Sequence, residues 1–204
     1  MRTHYESNLT MKEALAHYFQ ANNFGEDGGY HDAWVDFKLG PIPLPFPNTA
    51  ARKRAVPIHD FHHILTEYQT TTLGEFEISA WELGAGCKDF YAAWQLNLSG
   101  LLAGAFSMPR RTWRAFIRGR NTQSLYGSSY DAVLQKTVQE ARVMTQLDTN
   151  EAFKARPIDA LLFAAAMLGG ALSGLFFLAM MIVGLPVLLV VSLLRRKSLQ
   201  PSKP

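Results

Sequence analysis

The chain has 204 residues, a formal charge of +3 and a single cysteine, so it holds one globular domain with an appendage, and Cys87 has no disulfide partner within the chain. Residues 1–158 carry 16 Lys/Arg against 16 Asp/Glu, and the positive excess comes from Arg195, Arg196, Lys197 and Lys203, less Asp159. A neutral body with a basic tail beside an apolar run speaks for a membrane surface and against nucleic acid as a partner.

The N-terminus, MRTHYESNLTMKEALAHYF, has no apolar core behind a charged start, so neither a secretory signal nor a transit peptide is expected. Thr10 and Glu13 make a capping box for a helix from Met11 to Ala21, with Leu15, Tyr18 and Phe19 on one face. After a glycine-rich turn, GEDGGY, prolines 41, 43, 45 and 47 forbid helix. They predict an extended strap that packs Ile42, Leu44 and Phe46 along the domain.

From Pro57 onward the pattern is helical. HDFHHILTEYQ gives one helix, and Thr71 or Thr72 starts a second, LGEFEISAWEL, that stops at Gly84-Ala85-Gly86. KDFYAAWQLNLSGLLAGAF gives a third, Pro109 opens a fourth, and Ser128 with Asp131 caps a fifth, YDAVLQKTVQEARVMTQL. The fold expected is all-α: a helical domain over 1–150 with the proline strap, a linker at 151–158, a membrane-embedded helical segment at 159–195 and a basic tail at 196–204.

Ala160 to Leu194 are 35 consecutive uncharged residues, against the roughly 20 that a spanning helix needs. As one helix they would be about 52 Å long, beyond the ~30 Å hydrocarbon core. Gly184-Leu185-Pro186, Gly169-Gly170 and Gly174 offer breaks. The Arg195-Arg196-Lys197 cluster belongs on the cytosolic side. A bent hairpin would bring Lys154, Arg156 and that cluster to one face, with the domain also cytosolic. A single span with a short tail at the surface is the alternative.

Three of the six histidines lie within five residues, in His59-Asp60-Phe61-His62-His63. Either they form a metal site or they are a polar patch on an ordinary helix. Residues four apart share a helix face, so His59 and His63 can grip one ion. Asp60 borders that face. Glu75 follows His63 by twelve residues, enough to finish the helix, turn and return, and Gly74 would let the backbone pass close. The set of two imidazoles and two carboxylates suits zinc most readily, with manganese, iron or cobalt as alternatives. It differs from H-E-x-x-H, in which a glutamate acts as general base. His62 is placed either to orient a ligand or to touch substrate, or else to lie solvated on the helix face.

His59-Asp60-x-x-His63, eleven residues, then Glu75 resembles the HDxxH-x11-E signature of the coenzyme Q biosynthesis protein 4 family. HHILTEY and GEFEISAWE are similar to stretches of that family, with Glu67 where glycine is usual, and the resemblance spans roughly residues 10–145. It implies an all-helical, membrane-associated protein of ubiquinone biosynthesis, with His59, Asp60, His63 and Glu75 holding a divalent ion. It also implies action at ring C1 of a polyprenylated benzoate precursor, where a carboxyl is removed and a hydroxyl installed, or a role in organising the other quinone-biosynthesis enzymes. The apolar C-terminal segment departs from the usual pattern, which leaves room for another lipid or quinone substrate.

PRRTWRAFIRGR places five arginines around Trp113, Phe116 and Ile117. This helix is placed to lie on anionic headgroups, to bind a ligand carboxylate or phosphate, or to be a solvated basic face. Tyr91, Trp94 and Leu98 line either a prenyl pocket or plain core. Three functions follow: a metal-dependent enzyme on a prenylated quinone precursor, with His62 or Glu67 moving a proton; a non-catalytic prenyl-lipid-binding scaffold; or a metal-dependent hydrolase of lipid-linked esters. Apolar surface near a membrane is also compatible with a homodimer.

Overall fold

The Thr10–Glu13 box forms as expected, each partner capping the other, and starts helix α1 (Met11–Asn22). The protein is seen here as a computed structural model describing residues 4–35, 38–39, 42–43, 46–149 and 153–198. The proline-rich stretch is extended but pairs with itself. Strand β1 (Trp34–Val35) runs antiparallel to β4 (Phe46–Pro47), and β2 (Lys38–Leu39) to β3 (Ile42–Pro43). Phe46 is partly exposed, with the Arg52 guanidinium 5.9 Å from the centre of its ring. Pro41, Leu44 and Pro45 lie outside the described residues.

Helix α2 (Ala50–Thr66) starts seven residues before the expected Pro57, because Thr49 caps it and accepts the Arg52 N–H. Pro57 sits inside the helix and costs it one backbone rung. Helix α3 (Thr72–Ala85) is capped by Thr71 and ends at Gly86, whose φ of 94° suits glycine. Helices α4 (Tyr91–Ser107) and α5 (Pro109–Arg120) follow, the latter with proline in its first turn.

The single fifth helix predicted for 130–147 is two, α6 (Tyr130–Leu134) and α7 (Val138–Thr145). A second capping box, Thr137 with Glu140, makes the break. The N-terminal segment docks there: the Met11 N–H donates to the Lys136 carbonyl and the Val138 N–H to that of Leu9.

Helix α3 lies at the centre, packed by α5 and α4. Glycines set both distances. A Cβ on Gly84 or Gly119 would collide with backbone of the facing helix, and one on Gly100 with the Ser79 side chain. The core around α3 includes Trp81, Ile78, Phe61, Ile64 and Leu101, all buried.

Helix α8 (Pro157–Ser198) is one continuous helix of 42 residues, about 63 Å long. The expected hairpin is not formed. Gly169 and Gly170 do not break the helix; they let it approach α4, with Gly170 against the Leu98 carbonyl. Phe163 packs edge-on against Trp113 and Phe116 at 5.3 Å, so α8 covers the aromatic side of α5 that the sequence offered to lipid. Asp159, fully buried, ties the start of α8 to Arg120 at 2.9 Å and to Arg156. Over Pro157–Phe176 the helix is long and apolar enough to cross a membrane, with mean hydropathy 1.8 and 11% of that stretch buried. Leu161, Leu168, Leu172 and Leu175 are exposed. The basic tail from 199 onward lies outside the described residues.

Candidate metal centre

Helices α2 and α3 bring His59, His63 and Glu75 together. His59 and His63, one turn apart, have perpendicular rings with Nε2 atoms 3.1 Å apart. Glu75, in the first turn of α3, places Oε1 3.3 Å from His63 Nε2 and Oε2 3.5 Å from His59 Nε2. The three groups lie within 4.8 Å of one another. Four ligands at 2.0–2.1 Å around a tetrahedral zinc would stand about 3.3–3.4 Å apart, so the observed spacings fit such an ion.

Hydrogen bonds at the far side of each ring aim the two Nε2 atoms. The His63 Nδ1–H donates to the Tyr68 carbonyl at 2.8 Å, and the His59 Nδ1–H to Glu82 Oε1 at 2.9 Å. Two nitrogens converging at 3.1 Å repel unless a proton or a cation lies between them. The donor set therefore fits a divalent ion held by His59, His63 and Glu75. His63 is buried and Glu75 half exposed, which leaves the carboxylate side open.

The turn between α2 and α3 makes this arrangement possible. Gly74 packs on the Gln69 backbone so closely that a Cβ would collide with the Gln69 carbonyl, as the sequence reading of Gly74 anticipated. Gly74→Ala should cost about 2–3 kcal/mol and displace Glu75, weakening ion binding as well. Chemical denaturation with and without Zn2+ reads both effects, and unchanged curves would count against the close approach.

Asp60 takes a different place from the one expected. Its oxygens accept hydrogen bonds from Tyr18 at 3.1 Å and Tyr30 at 2.6 Å, and it lies outside the three-residue ion-sized group. Being one residue after His59, it points toward α1 rather than across to α3. Burial raises its pKa, against the opposing pull of His59, Tyr30 and His63. Tyr18 in turn stacks on the His63 ring at 5.8 Å.

His62 is neither solvated nor within reach of a substrate. Its ring is fully buried, with Nδ1–H donating to Glu82 Oε1 at 2.6 Å and Nε2 accepting the Leu125 N–H at 2.8 Å. Burial lowers its pKa, so it is held neutral. Glu67 closes α2 in the left-handed region at φ 62°, a position that favours glycine. Its carboxylate accepts from Arg142 at 2.8 Å and His4 at 2.7 Å, and it borders a cavity of ≈ 160 Å³ beside His63, lined also by Tyr5, Tyr18, Asn22 and Tyr68.

Glu82 is the site residue that the sequence reading missed. Burial opposes its charge, yet His59 and His62 hold its pKa well below the usual range. Glu75 and Glu82 stand seven apart on α3, two turns on one face, and that spacing was the available signal. Of the five arginines on α5, Arg111 pairs with Glu77, Arg118 donates to the Thr66 carbonyl and Arg120 pairs with Asp159. Arg110 and Arg114 are exposed. Tyr91 is exposed, the Trp94 indole donates to the Lys88 carbonyl, and Leu98 packs on Gly169, so the stripe points in part to solvent and in part to α8.

No protein family, no curated protein and no solved structure matches the chain.

Proposed function

We propose that the protein is a metal-dependent, membrane-associated protein of ubiquinone biosynthesis that acts on the ring end of a polyprenylated benzoate precursor, with its metal domain on the cytosolic face. The observation that carries this reading is the convergence of His59 Nε2, His63 Nε2 and Glu75 at the spacing of a metal's ligand shell. The family assignment rests on the signature residues themselves, and the membrane assignment on the apolar stretch of α8.

A divalent ion, zinc foremost, would act there as a Lewis acid toward the ring carboxylate or phenolate. The chain's own groups do the positioning. The Tyr68 carbonyl and Glu82 orient the two imidazoles, and Tyr18, held by Asp60, walls the ring of His63. The ≈ 160 Å³ cavity beside His63 is small and lined by three tyrosines together with polar groups, suited to a ring head rather than a prenyl chain. The chain of such a substrate would stay with the lipid along the exposed leucines of α8. Glu67, paired to Arg142, is a carboxylate at the cavity edge that could move a proton there.

The exposed apolar faces of α4 and α8, including Phe106 at 78% and Leu161 at 68%, favour a second reading: a prenyl-lipid-binding scaffold that collects other quinone-biosynthesis proteins. One variant separates the two. Protein purified without added metal should carry about one ion per chain, and His63→Ala should lose it while keeping its helical circular dichroism. Cells carrying His63→Ala should accumulate a carboxylated precursor if the site performs chemistry. A variant that unfolds, with no single precursor rising, supports the scaffold.

A further inference from the structure

Glu82 is a carboxylate with no exposed surface, and no lysine or arginine is paired with it among the described residues. Four donors from three other segments converge on it. Oε1 receives Nδ1–H of His59 at 2.9 Å and of His62 at 2.6 Å, both from α2. Oε2 receives the Asn97 amide of α4 at 2.5 Å and the Tyr126 hydroxyl at 2.9 Å. A charge buried this deeply has to be fully hydrogen-bonded to be tolerated, and a core that needed only packing would use an apolar residue.

The donors hold the carboxylate in one orientation. His62 is fixed at its other end by the Leu125 N–H, so its ring cannot swing away from Oε1. Asn97 and Tyr126 hold Oε2 from the opposite side, so the loss of one leaves the other in place. His59 Nδ1–H is thus left a single acceptor position, and its Nε2 is left aimed at His63 and Glu75. His63 is oriented by a neutral carbonyl, whereas His59 alone is oriented by an anion, which makes its ring the stronger donor to a cation.

We infer that Glu82, clamped by His62, Asn97 and Tyr126, is a positioning residue that sets how tightly the His59–His63–Glu75 group holds its ion. This rests on the metal reading above. In Glu82→Gln the neutral amide offers one oxygen where two imidazoles and two further donors need acceptors, so His59 loses its fixed partner or its anionic one.

The test uses the full-length protein in detergent, titrated with Zn2+ and Co2+ against a competing chelator. Glu82→Gln should bind about 10–100-fold more weakly than wild type and shift the visible spectrum of bound Co2+. Val138→Ala opens a small cavity at the start of α7, away from Glu82 and its donors, so it should lower the melting temperature yet stay within about threefold of wild-type affinity. Wild-type affinity in Glu82→Gln, or an equal loss in Val138→Ala, overturns the inference and leaves the metal reading standing. Failure of the wild type itself to bind either ion overturns the metal reading and the inference with it. If Glu82→Gln does not fold, Glu82→Asp, which keeps the charge but retracts it by a methylene, should still lose about tenfold in affinity; an unchanged affinity overturns the inference.

Discussion

Gly119→Ala is expected to cost about 3 kcal/mol and to lower the melting temperature by roughly 6–12 °C. The added Cβ would collide with the Trp81 carbonyl and lie 2.9 Å from the Ala85 nitrogen, and the reciprocal Gly84 stands the same way against the Phe116 carbonyl and Arg120 nitrogen. These contacts are helix backbone, which has no rotamer to move aside, so α3 and α5 must separate. Helix α3 also carries Glu75 and Glu82, so the same methyl should weaken ion binding without touching a ligand. Gly174→Ala, where no atom lies within 4 Å of the new Cβ, is the control and should leave the melting temperature unchanged or slightly raised. A melting temperature for Gly119→Ala within about 2 °C of wild type would show that the crossing can relax, contrary to this account.

Local chemistry was legible wherever one residue's neighbours in sequence decide its conformation. The Thr10–Glu13 box, the Thr71 cap, the stop at Gly86 and the proline opening of α5 all appear where the sequence places them. The helix i, i+4 rule put His59 and His63 on one face, and the count of intervening residues brought Glu75 back to them.

What the sequence did not reveal depends on partners distant along the chain. Asp60 borders the histidine face in a helical projection, but Tyr18 and Tyr30, some 42 and 30 residues away, draw it toward α1. The role of His62 is set by Glu82 and by the Leu125 backbone, neither of which its own neighbours announce. Gly169-Gly170 reads as a helix breaker until α4 is seen against it. Small residues in an apolar helix signal close packing as readily as a bend, and only the facing surface distinguishes the two. The aromatic face of α5 is a similar case. Its sequence fits a lipid-facing, a ligand-binding and a core helix alike, and Phe163 of α8, packed on Trp113 and Phe116, favours the last.

The affinity of the site for a divalent ion should fall, by up to about tenfold, as the pH drops from about 8 to about 7. Burial disfavours a charged His59, but the Glu82 and Glu75 carboxylates outweigh it and hold the pKa well above its ordinary value of 6.5. The raised pKa favours the imidazolium of His59 in the ion-free protein, donating through Nδ1 to Glu82 with Nε2 directed at Glu75. A metal needs that Nε2 lone pair, so each ion taken up displaces one proton from His59. Glu75 adds none in this range: burial opposes its charge, yet His59 and His63 hold its pKa below the usual carboxylate range. His62, held neutral by burial, adds none either. The stability of the ion-free protein carries the matching sign. A raised His59 pKa contributes stability that is fully present below 6.5 and is lost as the pH rises through the folded value. Depressed Glu82 acts at the other end, contributing stability that is present above 4.5 and lost as the pH falls through its folded value. The increase in melting temperature on adding Zn2+ should thus be larger at pH 8 than at pH 7, because the proton competes less there. Calorimetric titration in two buffers of different ionisation heat counts the protons directly. Release of about one proton per ion supports the imidazolium as the competitor. Zero release, with an affinity that stays flat over the same range, would show that His59 is already neutral in the ion-free protein, contrary to this account.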